Sequence, residues 1–497
     1  MAREALRDVA GGRLWPLPVT VRFWDGSELC SDAAAVVVVR RPTALVHLLH
    51  APNQLGLARA WVDGSLDVDG DLEAVLKTRR TFAGVQLSVA DDARVVLAAL
   101  RVVGLRALRR TPPPVFEARL GGLRRSLRRD REAVRHHYDV SNRFYRLVLG
   151  PTMVYSCAYF SGPDDTLEAA QERKLDLICR KLQLTEGERL LDIGCGWGSL
   201  VIHAAARYGA SAVGVTLSEP QSRCARERVE RLGLQDRVTI RVEDYRQVAD
   251  GPYDKIASVG MYEHVGRDQL GRYAHAVARL LRAGGLFLNH GITQIGTRTR
   301  PAQSFIARYV FPDGQLHPVT EVIEAMQRAG LEIRDAESLR EHYPLTLRRW
   351  VANLTSSRAE VVAEVGAPRE RARRLYMLGS ALAFEAGDIS VYQVLAAREG
   401  APHGLPLDRA ELVRDKDFRR HKRQSDGEVE HDREEAAREA KPLEPGIAQS
   451  LCAEGGSSDR EGKRDRGVVR NDADRAERNR GDRRNRRKHD RVFTPRD

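Results

Sequence analysis

Apolar positions along this chain fall into distinct regimes. Between residues 137 and 400, short apolar runs alternate with stretches whose apolar residues recur at helical spacing, and glycine and proline punctuate the joins. The segment "RLLDIGCGWGSLVIHAAARYGASAVGVTLS" at 189–218 shows the unit: an apolar strand ending at Ile193, a glycine-rich turn, a helix, then a second strand. Further strands read at 237–248, 253–266 and 284–292, which predicts an α/β fold. Upstream, "PVTVRFWDGSEL" alternates in steps of two around Asp25-Gly26, the pattern of a hairpin. The stretch "ALVHLLHAPNQLGLARAWVDGSLDVDGDLEAVLKTR" reads as helices, so residues 1–97 are expected to form a small mixed N-terminal domain. Past about residue 410 the periodicity stops. Residues 411–497 hold 24 basic and 21 acidic residues and almost no aromatics, the composition of a disordered charged tail. No internal repeat is apparent.

Charge sharpens this division into four: 1–97, 98–136, 137–410 and 411–497. The net charge of +12 points to a polyanionic partner, either nucleic acid or an anionic lipid surface. Residues 98–136 carry eleven arginines interleaved with Leu, Val and Phe and broken by "TPPP". That pattern suits a membrane-surface segment, with Arg124, Arg125, Arg128 and Arg129 as its densest part, or a solvated linker. The N-terminus "MAREALRDVAGGRLWPLP" has no apolar core of a secretory signal, and apolar runs such as "AAAVVVV" are far too short to span a bilayer. Six scattered cysteines with no CxxC pair argue for reduced thiols and no metal site. The expected location is cytoplasmic, or peripheral on the inner face of the membrane.

Chemistry concentrates at strand ends. Gly194, Gly196 and Gly198 are spaced G-x-G-x-G, which lets a backbone pass close to a ligand. Asp192 stands just before them, a carboxylate able to meet an ammonium group. Strand three closes on Glu243 and Asp244, strand four on Glu263 and His264, and strand five on His290, all where open α/β sheets hold ligands. The motif "LDIGCGWG" resembles that of class I S-adenosylmethionine (SAM) methyltransferases, implying a Rossmann-like, seven-stranded sheet. Some forty residues ahead stands "YSCAYF" at 155–160, an apolar run with a thiol and two phenols. It reads as the lid of the site.

"HHYDVSNRFYRLVLGPTMVYSCAYF", "VTLSEPQ", "GMYEHVG", "NHGI" and "HYPLTLRRW" occur together with the glycine loop in one order. The set resembles cyclopropane-fatty-acid synthases, mycolic-acid cyclopropane synthases and the fatty-acid methyltransferases of tuberculostearic-acid synthesis, over roughly residues 45–410. The resemblance implies SAM-dependent modification of double bonds in phospholipid acyl chains at the membrane surface, through a carbocation deprotonated by bound bicarbonate. A homodimer is compatible with it. It assigns SAM contacts to Tyr155, Ser156, the stretch Leu190–Gly198 including Asp192 and Cys195, Thr216, Leu217, Ser218, Gln221, Val242 and Glu243. It assigns bicarbonate to backbone groups of Cys157 and Ile292 and to the side chains of Glu263, His290 and Tyr343. A carbocation requires a dry pocket rich in π faces, for which Tyr138, Tyr159, Phe160 and Tyr343 are candidates. Two departures stand out. Ser380 replaces a cysteine found in many relatives, which a mechanism without a covalent step tolerates, and the tail beyond 410 has no counterpart. Competing readings are a methylene-branched product, a nucleic-acid methyltransferase, and a non-catalytic SAM-binding protein. The nucleic-acid reading is disfavoured because strand four ends in "MYEHVG", with no Asn-Pro-Pro-aromatic motif and no aromatic–basic RNA module.

Overall fold

A computed structural model describes residues 19–29, 35–78, 140–296 and 304–413, with isolated positions between 97 and 132. Arg124, Arg125, Arg128, Tyr138 and the charged tail beyond Val413 lie outside the described residues.

The N-terminal unit is built on a four-stranded sheet of order β2-β1-β3-β4. Strands β1 (Thr20–Phe23) and β2 (Glu28–Leu29) form the expected hairpin. Gly26 adopts φ +78°, and Asp25 Oδ1 accepts a hydrogen bond from Ser27 N at 3.0 Å. Strand β3 (Val36–Val39) runs parallel to β1. Helices α1 (Thr43–His50) and α2 (Gln54–Val62) follow, the latter capped by the Asn53 side chain. Here one expectation needs correction: within the stretch read as helical, Leu66–Asp69 is a strand, β4, antiparallel to β3. Its alternation, Leu66 and Val68 against two aspartates, is too short to show against the helical flanks, and the ladder to β3 decides the conformation. Helix α3 (Leu72–Lys77) closes the unit.

The larger region runs α4 (Asn142–Leu149), α5 (Leu167–Lys181), β5 (Arg189–Ile193), α6 (Ser199–Tyr208), β6 (Ser211–Thr216), α7 (Glu219–Arg231), β7 (Val238–Val242) and β8 (Tyr253–Val259). It continues through α8 (Leu270–Leu280), β9 (Leu281–Gln294), α9 (Phe305–Tyr309), α10 (Val319–Arg328), β10 (Leu331–Ser338) and α11 (His342–Ser356). Helices α12 (Arg358–Val365) and α13 (Ala367–Glu385), strand β11 (Ile389–Arg398) and helix α14 (Arg409–Val413) complete it. Its seven strands take the order β10-β11-β9-β8-β5-β6-β7, and β11 is antiparallel to both neighbours while β5 to β9 are parallel. Period-two alternation splits each strand between two cores. Leu190, Ala212 and Leu288 pack with α5 and α6 on one face, while Leu191, Val213 and Phe287 pack with α8 and α10 on the other. Helix α14 crosses the expected boundary at 410: Leu412 is buried, and Arg180 donates to Val413 O at 2.6 Å.

Helix α13 meets the N-terminal unit through one interlocked pair. Trp61 Nε1 donates to Arg371 O at 2.9 Å, Arg371 Nε donates to Trp61 O at 2.5 Å, and Arg371 Nη2 donates to Leu66 O at 2.6 Å. The guanidinium lies 4.0 Å from the Trp61 ring centroid and also contacts Asp67. Truncation would remove these bonds and uncover the Trp61 ring, while Trp61 O keeps Gly64 N at 3.1 Å and Asp67 keeps Arg40 at 2.8 Å. Arg371→Ala is therefore expected to destabilise the protein by about 1–3 kcal/mol, read as a lowered urea midpoint; an unchanged midpoint would show that the interlock is dispensable.

Candidate functional site

The carboxyl ends of β5, β6, β7 and β8 surround a cleft of about 180 Å³. Strand β5 has β6 on one side and β8 on the other, so the cleft sits at the switch point where open α/β sheets take ligands. Gly194, Gly196 and Gly198 hold φ of +86°, +55° and +80°. A Cβ on Gly194 would meet the Met261 side chain at 3.1 Å, and one on Gly198 would meet Ala225 at 3.1 Å. One on Gly196 would enter open space, with only Gln221 Nε2 as near as 4.0 Å. Gly196 is thus the loop position that opens on the cleft.

Asp192 lines the same cleft, is buried, and leaves Oδ1 without a hydrogen-bond partner among the described residues. Burial pushes its carboxyl up to about 7, against a lowering by the charge of Lys174. An orphaned carboxylate beside an open glycine fits the α-ammonium of the cofactor the motifs imply. Thr216, Leu217 and Gln221 form the next wall: Thr216 Oγ1 accepts from Ser218 N at 3.2 Å and donates to Gln221 Oε1 at 3.0 Å. Glu243 lines the third wall, its N–H donating to Thr216 O at 3.1 Å. Beside it Asp244 takes two bonds from the Arg246 guanidinium, each 2.7 Å, and one from Arg246 N at 2.9 Å, and Arg246 also reaches Asp130 at 2.9 Å. Cys195 also lines the cleft, whereas Gly198, Ser218 and Val242 do not. Ser218 instead caps α7, and Val242 ends β7.

The run 155–160 is irregular yet almost wholly buried. Its backbone is satisfied from neighbouring helices: Ala158 N donates to Thr346 Oγ1 at 3.1 Å, Phe160 N to His342 Nδ1 at 3.1 Å, and Tyr159 N to Ala170 O at 2.9 Å. It is an inner wall, not the lid expected from its sequence. Tyr155 and Ser156 line the cleft; Cys157 does not. The Cys157 thiol faces Ala158 O and Leu339 O, and burial pushes it up, so it stays protonated and is no nucleophile at neutral pH.

A second polar group forms where the turn after β8 meets β9 and β11. Glu263 Oε1 accepts from Ile292 N at 2.7 Å, and Tyr262 OH donates to Ile292 O at 2.7 Å, so both backbone groups of Ile292 carry protein partners. Gln393 lies opposite His290 in the β9–β11 ladder, with Nε2 3.3 Å from His290 Nδ1. Glu263 Oε2, His290 Nε2 and Gln393 Oε1 have no hydrogen-bond partner among the described residues. Burial pushes Glu263 up to about 7 and holds His290 well below its ordinary value, helped by Lys174 and Lys181, so His290 is neutral. Tyr343 stacks on Phe384 at 4.4 Å, and its phenol is raised well above the usual range by burial and by groups that include Cys157 and Glu263. Aromatic rings of Tyr145, Tyr155, Trp197 and Trp350 adjoin this region. The structure joins Glu263 to Ile292, two residues along β9 from His290, with Tyr343 within electrostatic reach of Glu263 and Cys157, and none of the five lines the cofactor cleft.

Sequence reading missed Lys174, Lys181 and Gln393. Lys174 is buried, lines the cleft, and donates to Ser156 Oγ at 2.9 Å. Its signal was present: Leu167, Ala170, Lys174, Ile178 and Lys181 form one buried stripe on α5, and a lysine in an apolar stripe needs a reason. Of the arginines expected at a lipid surface, Arg129 pairs instead with Asp313 at 2.5 Å, at the edge of the cleft. Ser380 is half-buried on α13 and does not line the cleft. Among the described residues no helix is long and apolar enough to cross a membrane, and no three His, Cys, Asp or Glu side chains are grouped to hold a metal ion.

Comparison with known proteins bears on this geometry. The family described as mycolic acid cyclopropane synthetase matches residues 125–394. A protein of Mycobacterium tuberculosis named "Probable fatty acid methyltransferase" is 41% identical over 78% of this chain and 94% of its own. The cyclopropane-fatty-acyl-phospholipid synthase of Escherichia coli is 34% identical over 77% of this chain and 93% of its own. The solved structure of the mycolic acid cyclopropane synthase CmaA1 complexed with SAH and CTAB covers 54% of this chain and 98% of its own, at 34% identity and a TM-score of 0.51.

Proposed function

The chain belongs to the mycolic acid cyclopropane synthetase family of SAM-dependent methyltransferases, and from that footing we propose that it adds a methyl-derived carbon to double bonds in phospholipid acyl chains, forming a cyclopropane ring. One observation carries the reading: a cofactor cleft with an orphaned carboxylate adjoins a buried, aromatic-lined cluster whose free polar atoms include one carboxylate oxygen and one imidazole nitrogen.

SAM supplies an electrophilic methyl group. The alkene's π pair forms the new carbon–carbon bond, S-adenosylhomocysteine leaves, and the lipid cation must then lose one proton. The protein's share is to exclude water and manage that proton. Tyr155, Tyr343 and Trp350 offer π faces in a dry pocket, where a cation is stabilised without being trapped. His290 is neutral, and with Gln393 Nε2 donating to Nδ1, the unpaired Nε2 carries hydrogen and is a donor. Glu263 Oε2 is an acceptor. That pair suits a small protonated oxyanion, which accepts from His290 and donates to Glu263; bicarbonate is the proposed occupant, with Tyr343 and Cys157 beside it. We place the enzyme peripherally on the inner face of the membrane, drawn to anionic lipid by the arginine-rich segment 98–136.

A second reading is favoured by the 41% identity to the mycobacterial protein named for fatty acid methylation. In it a hydride shift precedes proton loss, and the product is a methylene branch. Incubation with labelled SAM and either anionic or neutral phospholipid vesicles, or RNA, followed by mass spectrometry, tests both. The expected result is label in acyl chains of anionic vesicles, with chain fragmentation reporting ring or branch. Label in RNA alone, or in nothing, would sink the lipid reading.

A further inference from the structure

We propose that Lys174 is a positioning residue for the amino-acid end of the methyl donor: it pins the Ser156 hydroxyl and supplies the cationic counterpart of the Asp192 carboxylate in the same cleft, so that Asp192 can take the donor's α-ammonium. The inference rests on SAM binding in the cleft and is independent of which lipid product forms.

The two buried lysines of the α5 stripe differ in their company. Lys181 sits 2.5 Å from Glu337 and 3.4 Å from Asp335, two carboxylates that do not line the cleft, and its role is accounted for by that ion-pair cluster. Lys174 has no such partner; it donates to Ser156 Oγ at 2.9 Å, and the acidic side chain whose charge acts on it is Asp192, which lines the cleft. Burial pulls the Lys174 ammonium down to about 8, and Asp192 holds it up. The reciprocal effect of Lys174 on Asp192 opposes the burial that would otherwise keep that carboxyl protonated. The other titratable groups facing the pair are Cys157, Cys179 and Cys195, whose thiols burial keeps neutral, and His290, which is also neutral. Among the described residues, Lys174 is thus the one cationic side chain acting on Asp192. An ionised Asp192 with Oδ1 open to the cleft offers a site for an ammonium group; a protonated one does not.

The test is calorimetric binding of two ligands between pH 6 and 9. S-adenosylhomocysteine carries the amino-acid end, and 5′-methylthioadenosine lacks it. For the wild type, S-adenosylhomocysteine affinity is expected to rise through about pH 7. In Lys174→Met that rise should move upward by at least about one pH unit, which means a loss of about fivefold or more at pH 7, with 5′-methylthioadenosine affinity unchanged. Ser156→Ala should weaken S-adenosylhomocysteine without moving the rise. Lys174→Arg should restore the position of the rise. If Lys174→Met weakens both ligands equally, or leaves the pH dependence where it was, Lys174 is only structural and the proposal fails, while SAM binding in the cleft stands or falls on the 5′-methylthioadenosine affinity itself.

Discussion

Replacing Glu263 by glutamine is expected to lower turnover by about 10³-fold while leaving S-adenosylhomocysteine affinity within about twofold. Glutamine fills the same volume, and its amide oxygen can still accept the Ile292 N–H that Glu263 Oε1 accepts at 2.7 Å. What disappears is the free oxygen Oε2, replaced by an amide that donates and cannot receive a proton. Cofactor affinity is spared because Glu263 does not line the cleft. The substitution should also reveal a stability cost in the native enzyme. Burial raises Glu263 from 4.5 to about 7, so between those values the folded state binds a proton that the unfolded state has lost. Stability from this group is therefore present below about pH 4.5 and falls as pH rises to about 7, a loss of about 3 kcal/mol in all. The variant has no such loss. Its melting temperature should match the wild type at pH 5 and exceed it at pH 8. Normal turnover in the variant, or a melting difference that does not vary with pH, would refute the assignment.

Gly196→Val is expected to abolish cofactor binding, weakening S-adenosylhomocysteine by at least about 10²-fold in calorimetry. The new side chain would project from a backbone at φ +55° into the open part of the cleft. Forcing valine into that conformation costs about 1–2 kcal/mol, and the protein should stay folded because no neighbour stands closer than 4.0 Å to the new Cβ. Loss of binding with retained secondary structure is thus the signature of occupied space. Wild-type affinity would show that the ligand does not approach this turn.

How much of this was legible in advance depends on sequence distance. The unit from Arg189 to Thr216 could be read because strand, glycine turn and helix are all local patterns, and the α/β fold follows from repeating it. Asp192 and Glu263 were findable for the same reason, since each stands close to the end of a strand, whereas His290, read as closing its strand, lies inside β9, which runs on to Gln294. Lys174 was hidden because an apolar/polar reading counts every lysine as surface. Gln393 was hidden more deeply: its partner His290 is 103 residues away, and only the β9–β11 register brings them together. The wall formed by 155–160 looked like a lid because irregular apolar runs are common in both. What distinguishes them is whether side chains such as Thr346 and His342 cap the backbone, and no local pattern reports that.

Strand β11 is the last strand among the described residues, yet it inserts between β9 and β10 in the sheet. The cofactor turn and its parallel neighbours β5 and β6 are closed by contacts a few tens of residues apart, whereas the pairing of Ile292 with Val391 and of His290 with Gln393 spans about a hundred. Loop closure over that span is slow, and on the ribosome it must wait until residue 393 has emerged. Synthesis therefore passes through a stage in which the donor-binding half can form and the proton-handling half cannot. In that interval β9 presents an uncovered edge that includes Leu286, Phe287, Leu288 and Ile292, which exposes the unfinished sheet to aggregation.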